Sequence, residues 1–178
     1  MYTSTIKLSG KKLKGTLDFY VLKKVQQELL SVRLDLRIEQ ILSELLEGNV
    51  VVMSSVFIQS IMRLTDIEPE ELLELKNAHF KSKSSEEWLE KCFEQWFAYF
   101  ENLCVACLPK SNKKTESEFE DFPTSESEDD FDFAQLEYTW TYVLKRDDFW
   151  STTLKNFVEQ VEIYKRQNQQ KTEEIEEL

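Results

Sequence analysis

The stretch Glu116–Asp132, with the sequence ESEFEDFPTSESEDDFD, divides this chain into two unequal parts. It contains nine carboxylates and one proline, and it has no lysine or arginine. Such a run repels itself and offers too little apolar surface to offset the entropy lost when a backbone is ordered. The sequence therefore predicts a disordered acidic linker at residues 109–130, between an N-terminal domain at 1–108 and a C-terminal extension at 131–178.

The composition predicts a mainly helical protein. Three glycines and three prolines in 178 residues are few for a turn-rich β-sandwich, and the 41% of apolar residues is sufficient for a core. The net charge of −12 argues against a nucleic-acid ligand, because binding to phosphates needs a basic face. We find no signal region and no apolar run near the about 18 residues of a membrane span, so no membrane partner is expected. Three cysteines, all within Cys92–Cys107, are typical of a reduced cytosolic protein.

Hydrophobic spacing predicts the elements of the N-terminal domain. Ile6–Leu13 alternates around Ser9-Gly10, which indicates a β-hairpin. Thr16 is predicted to cap the first helix, and Ser84 to form a capping box with Glu87 at the start of the longest helix. The predicted helices are Leu17–Leu30, Ile38–Glu47, Val50–Leu64 (where Val50–Val52 also fits a strand), Glu70–Ala78 and the longest one, which ends near Leu108.

Aromatic residues concentrate in the longest helix and in the extension. The extension is predicted as a short helical pair, Phe133–Lys145 and a second helix that Thr152 or Thr153 caps and that frays beyond Arg166. A pair this small buries little by itself, which indicates that it docks on another surface. In the longest helix, the positions predicted to face inward are Leu89, Cys92, Phe93, Trp96, Phe100, Leu103, Cys104 and Cys107.

No residue pattern indicates a catalytic or metal site. Cys104 and Cys107 form a C-x-x-C pair, but zinc needs four ligands and the chain has one further cysteine and one histidine, His79. Packing of buried cysteines is the commoner interpretation. We therefore expect no enzyme activity, no cofactor and no metal, and a protein that binds other proteins.

Large aromatic side chains are the candidate partner-binding positions, because such side chains anchor protein interfaces. Core packing is the competing interpretation for the same residues. An alternative function is an acidic inhibitor of a host protein, in which the linker carboxylates mimic nucleic-acid phosphates. The candidate residues are Trp88, Trp96, Phe97 and Phe100 in the longest helix and Trp140, Phe149, Trp150 and Phe157 in the extension.

Two stretches together resemble the tail assembly chaperones of long-tailed bacteriophages. Ile6–Leu30, a short hairpin that runs into L-x-F-x-x-L-K-K, is similar to the N-terminus of that family. Leu144–Lys155, in which acidic residues precede Phe149-Trp150, is similar to the C-terminal segment of the family's extended forms. The chain departs from the family where Thr152-Thr153 replaces a frequent Thr-Pro.

The resemblance implies a function in phage tail assembly. The N-terminal domain would bind the tape-measure protein, the extension would recruit tail tube subunits, and the chaperone would self-associate in multiple copies. Its location would be the host bacterial cytoplasm and not the mature virion. The family makes its extension by a programmed ribosomal frameshift, and the resemblance implies that Lys113-Lys114 would mark the corresponding junction here.

Overall fold

The computed structural model describes residues 2–82, 85–110 and 131–176, with the side chains of the last helix described as far as Gln169. Residues 111–130 of the predicted linker lie outside the described residues. The mainly helical fold with a small N-terminal β-hairpin is confirmed. In chain order the elements are β1 (Ser4–Leu8), β2 (Lys11–Gly15), α1 (Phe19–Ser31), α2 (Ile38–Leu46), α3 (Val50–Met62), α4 (Pro69–Lys81), α5 (Glu86–Cys107), α6 (Phe133–Tyr138), a π-helical turn (Thr139–Val143), a 3-10 turn (Phe149–Ser151) and α7 (Leu154–Glu176).

The hairpin covers one end of the helical core. Its strands pair antiparallel with Ile6 opposite Leu13, and Ser9 and Gly10 turn between them with φ of 46° and 87°. Positive φ at both turn positions matches the right-handed twist of short hairpins, and glycine adopts it without strain. One face of the hairpin is buried against the helices, while the other is exposed and carries the lysines Lys7, Lys12 and Lys14.

Two predicted helix caps are corrected by the structure. Asp18, not Thr16, caps α1, and its carboxylate accepts a hydrogen bond from the Val21 amide at 2.9 Å. Thr16 still belongs to the end of the hairpin, where its hydroxyl donates to the Tyr2 carbonyl. Ser85 caps α5 and accepts from the Trp88 amide, whereas Ser84 lies outside the described residues.

The helix α3 lies at the centre of the molecule. It packs against α1 and β2 and buries a broad face, so Val50–Val52 begins a helix and not a strand. No single helix among the described residues is long and apolar enough to span a membrane; only α2 and α3 taken together, with a bend of 107° between them, meet that test of length and composition.

The helix α5 runs along β1 and buries Cys92, Phe100, Leu103 and Cys107 as predicted, together with Tyr99, which was not predicted to face inward. The Ser4 hydroxyl donates to the Tyr99 carbonyl at 2.9 Å, and the Gln95 side chain donates to the Lys7 carbonyl at 3.0 Å. Tyr99 is 1% exposed, and its hydroxyl shares a hydrogen bond with Ser60 of α3. Leu89 and Phe93 are exposed, so the prediction that these two face inward was wrong.

The extension packs on α1 of the same chain. The Phe19 ring stacks on Phe149 at a centroid distance of 4.7 Å and meets Phe157 edge-on at 5.8 Å. The Phe19 amide donates to the Thr152 carbonyl at 3.0 Å, and a β-bridge joins Asp18 to Thr153. These contacts make the extension part of the hydrophobic core that the helices and the hairpin share.

The extension differs locally from the predicted helical pair. Its first helix ends at Tyr138 and continues as the π-helical turn, which stops short of Lys145. Thr153 caps α7, since its hydroxyl accepts from the Asn156 amide. The helix then runs to Glu176.

Candidate protein-binding surface

A row of apolar side chains lies exposed along α5. Leu89, Phe93 and Phe97 follow one another at a spacing of four residues, which places them on one helix face. They are 39%, 53% and 55% exposed. Together with the half-buried rings of Phe80 and Trp96, they form what we call the α5 face.

The α5 face rests on a rigid base of aromatic contacts. Phe80, near the end of α4, meets Phe93 edge-on at 5.6 Å. Trp96 contacts the buried Phe57 ring of α3 at 4.4 Å, and the Lys76 ammonium lies 5.5 Å from the Trp96 centroid. Because residues of α3, α4 and α5 all take part in these contacts, the exposed rings form a preorganised apolar surface.

Carboxylates adjoin the α5 face. Glu90 and Glu94 directly follow Leu89 and Phe93 in the sequence, and Glu101 lies four residues after Phe97. All three glutamates are exposed. At 100° per residue they occupy the neighbouring side of the helix. An apolar stripe with an acidic border suits a partner that is itself an apolar helix, because the carboxylates keep the outer side of a complex hydrated.

The structure distributes the four candidate residues of α5 over different environments. Trp96 and Phe97 belong to the α5 face. Trp88 is half-buried, and its indole donates to the His79 carbonyl at 3.2 Å. Phe100 is 4% exposed and packs against Trp96 and Tyr99, so it is a core residue.

The candidate residues of the extension lie mostly in the core. Trp140, Phe149 and Phe157 are at most 4% exposed, and the Trp140 indole donates to the Asp147 carbonyl. All three side chains belong to the hydrophobic core that also contains Phe19. This role in the core explains why the short extension has so many aromatic residues. Trp150 is half-buried and remains accessible from one side.

Two tyrosines that the sequence analysis did not single out are exposed on the extension. Tyr138 and Tyr142 are 59% and 68% exposed, and their rings lie 5.1 Å apart. They sit where α6 passes into the π-helical turn, a feature that is frequent at functional sites. Their spacing of four residues is visible in the sequence, but the sequence does not show that they are exposed while the nearby Trp140 is buried.

Two of the cysteines and the histidine make contacts within the fold. Burial raises the pKa of Cys104 to about 11, with a smaller contribution from Cys107. Burial also raises the pKa of Cys107, whose thiol donates to the Tyr2 carbonyl. His79 Nδ1 accepts from the Ser9 amide and Nε2 faces Gln95, so this side chain joins the hairpin to α4 and α5. Within the described ranges, no group of three or more His, Cys, Asp or Glu side chains could hold a metal ion.

No protein-family model, curated protein or solved structure matches this chain.

Proposed function

We propose that this chain is a tail assembly chaperone of the long-tailed bacteriophage type and that the α5 face binds the tape-measure protein. The observation that supports the proposal best is the exposed row Leu89, Phe93 and Phe97 on a rigid aromatic base. Contiguous exposed apolar patches of this kind are uncommon on monomeric proteins and mark interaction sites. The resemblance of Ile6–Leu30 and Leu144–Lys155 to that chaperone family supports the choice of client.

A long apolar helix is the partner that fits the α5 face. An amphipathic helix binds through side chains at positions i, i+3, i+4 and i+7, and a row at a spacing of four residues offers matching contacts. The net charge of −12 would keep a client coated with many copies soluble. The chaperone would act in the host cytoplasm, without catalysis, and in several copies per client.

The extension would recruit tail tube subunits through Tyr138 and Tyr142. Both rings are accessible, whereas Trp140, Phe149 and Phe157 are occupied by the core. Tyrosine is enriched at interfaces because it combines a large apolar surface with a hydroxyl.

Co-expression with a tape-measure protein tests the assignment of the α5 face. We expect the wild-type chain to keep this client soluble and the variant F93E/F97E to lose most of that effect, because two carboxylates replace the centre of the apolar row. The control is Leu46→Glu, which places a carboxylate at an apolar position of α2 that is 68% exposed. A client that stays equally soluble with F93E/F97E, while circular dichroism shows that variant to be folded, would contradict the assignment.

Pull-down with tube subunits tests the role of the extension. We expect Y138A/Y142A to lose tube binding and to keep tape-measure binding. Loss of both activities in a folded variant would mean that the two surfaces are not separate.

A further inference from the structure

Three lysines lie together on the exposed face of the hairpin. In the antiparallel register Lys7 is directly opposite Lys12, and Lys14 is opposite Thr5. These side chains share one face because successive residues of a strand point to opposite sides of the sheet, and all of them are exposed. We call Lys7, Lys12 and Lys14 the hairpin lysine face.

The folded helices do not neutralise this face. In the part of the chain that the structure describes, no carboxylate lies within 4 Å of the three ammonium groups, whereas the neighbouring Lys11 pairs with Glu71 at 2.9 Å. Like charges directly opposite each other on two strands repel and destabilise the pair. The cross-strand pair of Lys7 and Lys12 would therefore be stabilised by an anionic segment lying over the hairpin.

The residues that flank 111–130 are both held near the open end of the hairpin. Cys107, at the end of α5, donates its thiol to the Tyr2 carbonyl just ahead of β1. Beyond the segment, the Phe131 ring lies 6.1 Å from that of Phe19, the first residue of α1, four residues after β2 ends. The segment between them is thus tethered beside the hairpin at both ends.

Residues 111–130 have the length and the charge to cover the hairpin lysine face. Strands of five residues are about 17 Å long. Twenty extended residues span at most about 70 Å, which is enough to follow the hairpin to its turn and return. The segment contains eight carboxylates, all between Glu116 and Asp130, against the two lysines Lys113 and Lys114.

We propose that the hairpin lysine face binds the chain's own acidic residues 116–130. Their carboxylates would pair with the ammonium groups of Lys7, Lys12 and Lys14. A single exposed ion pair contributes little, but the tether raises the effective concentration of the carboxylates, so several such pairs act together. This inference does not depend on the proposed function, since it concerns a surface other than the α5 face and the tyrosines of the extension.

Zero-length carbodiimide cross-linking of the full-length chain tests the contact, because this reagent joins an amine to a carboxylate only where the two meet. An equimolar mixture of unlabelled and ¹⁵N-labelled protein shows whether both groups belong to one chain. We expect mass spectrometry to find links from the hairpin lysine face to residues 116–130, each within a single isotopic form. Their yield should fall several-fold at about 1 M salt, where the screening length is only about 3 Å.

Charge reversal on the hairpin provides an independent measurement. The variant K7E/K12E keeps two like charges opposite each other, so the repulsion between the strands is retained while the attraction for the acidic segment is lost. We expect a glutamate-specific protease to cleave residues 116–130 several-fold faster in this variant than in the wild type. The matched control is K81E/K91E, which changes the net charge equally at exposed positions of α4 and α5 and should be cleaved at the wild-type rate.

Three results would overturn the proposal. Links that join labelled to unlabelled chains would place a segment of another copy on the hairpin. Links from the hairpin lysine face that are no more frequent than links from Lys81 and Lys91 would show that the acidic segment has no preference for it. Equal cleavage of the two variants, with circular dichroism showing both to be folded, would show that the lysines do not hold the segment.

Discussion

At the scale of single residues, Gly15 is the position at which a side chain fits least. An added Cβ would overlap the Tyr99 hydroxyl and would lie 3.0 Å from the Ser60 hydroxyl. Both belong to the buried hydrogen bond that joins α5 to α3, so neither can move away freely. We expect Gly15→Ala to destabilise the chain by about 1–3 kcal/mol, the usual cost of overpacking, as measured by urea unfolding.

The double variant G15A/Y99F is the internal control for this prediction. Without the Tyr99 hydroxyl the new methyl group has more room, so the two substitutions together should cost less than the sum of the single ones. Additive losses would mean that Gly15 matters for a reason other than its contact with Tyr99.

The sequence does not indicate that Gly15 lies in close contact with another element. A glycine next to a predicted N-cap has an adequate local explanation, and the approach of Tyr99 depends on how α5 is rotated. Phe93 is exposed although Phe100, seven residues further along nearly the same side of α5, is buried. Residue roles of this kind depend on tertiary packing, which local patterns do not contain.

At the scale of elements, spacing predicts which segments are helical better than it predicts which side each helix buries. All five helices of the N-terminal part were predicted, most of them to within a few residues of their ends. On α5, however, aromatic residues occur on several sides, so a helical period of apolar residues fits more than one buried face. The aromatic residues of the extension presented the same ambiguity, and their partner, Phe19, lies more than 100 residues earlier in the sequence.

Asp18 joins three elements, and its ionisation should make their association dependent on pH. Its carboxylate caps α1 and pairs at 2.8 Å with Nε of Arg63, the residue that follows α3. Arg63 in turn donates to the Ser151 hydroxyl of the extension. Burial nevertheless raises the pKa of Asp18, outweighing the Val21 amide and the Arg63 guanidinium, which lower it. A carboxyl whose pKa is higher in the folded than in the unfolded state contributes stability at low pH, and that contribution is lost as the pH rises through the folded pKa.

We therefore expect the free energy of unfolding of the wild type, relative to that of Asp18→Asn, to fall as the pH rises through the acidic range. Urea unfolding of both proteins at several pH values measures this difference. Asp35→Asn, at an exposed position, controls for the change in net charge. A difference that instead grows with pH would show that the ion pair with Arg63 dominates over burial.

At the scale of the whole molecule, the two parts that the acidic stretch separates in sequence share one hydrophobic core. The extension contributes Trp140, Phe149 and Phe157 to that core, and the N-terminal part contributes Phe19. The boundary at the linker was drawn from composition, which identifies where a chain has few apolar residues. It gives no information on whether the segments on either side pack together.

The shared core predicts that the N-terminal part is less stable without the extension. A chain truncated after Lys110 would expose Phe19, which is fully buried in the intact protein, and would lose its contacts with Phe149 and Phe157. We expect its free energy of unfolding to be lower by about 3 kcal/mol or more, because aromatic residues of this size bury large apolar areas. Urea unfolding followed by circular dichroism measures the change.

Truncation after Val161 is the matched control, because residues 162–169, which it removes, are exposed and their loss should leave the core unaffected. If the chain ending at Lys110 were as stable as this control, the contacts of Phe19 with the extension would contribute nothing to folding. If it is less stable, as we expect, a short product that ends near Lys113-Lys114 would present the uncovered surface around Phe19 to its surroundings. The short and extended forms of such a chaperone would then differ in an apolar surface on α1 as well as in the presence of the extension.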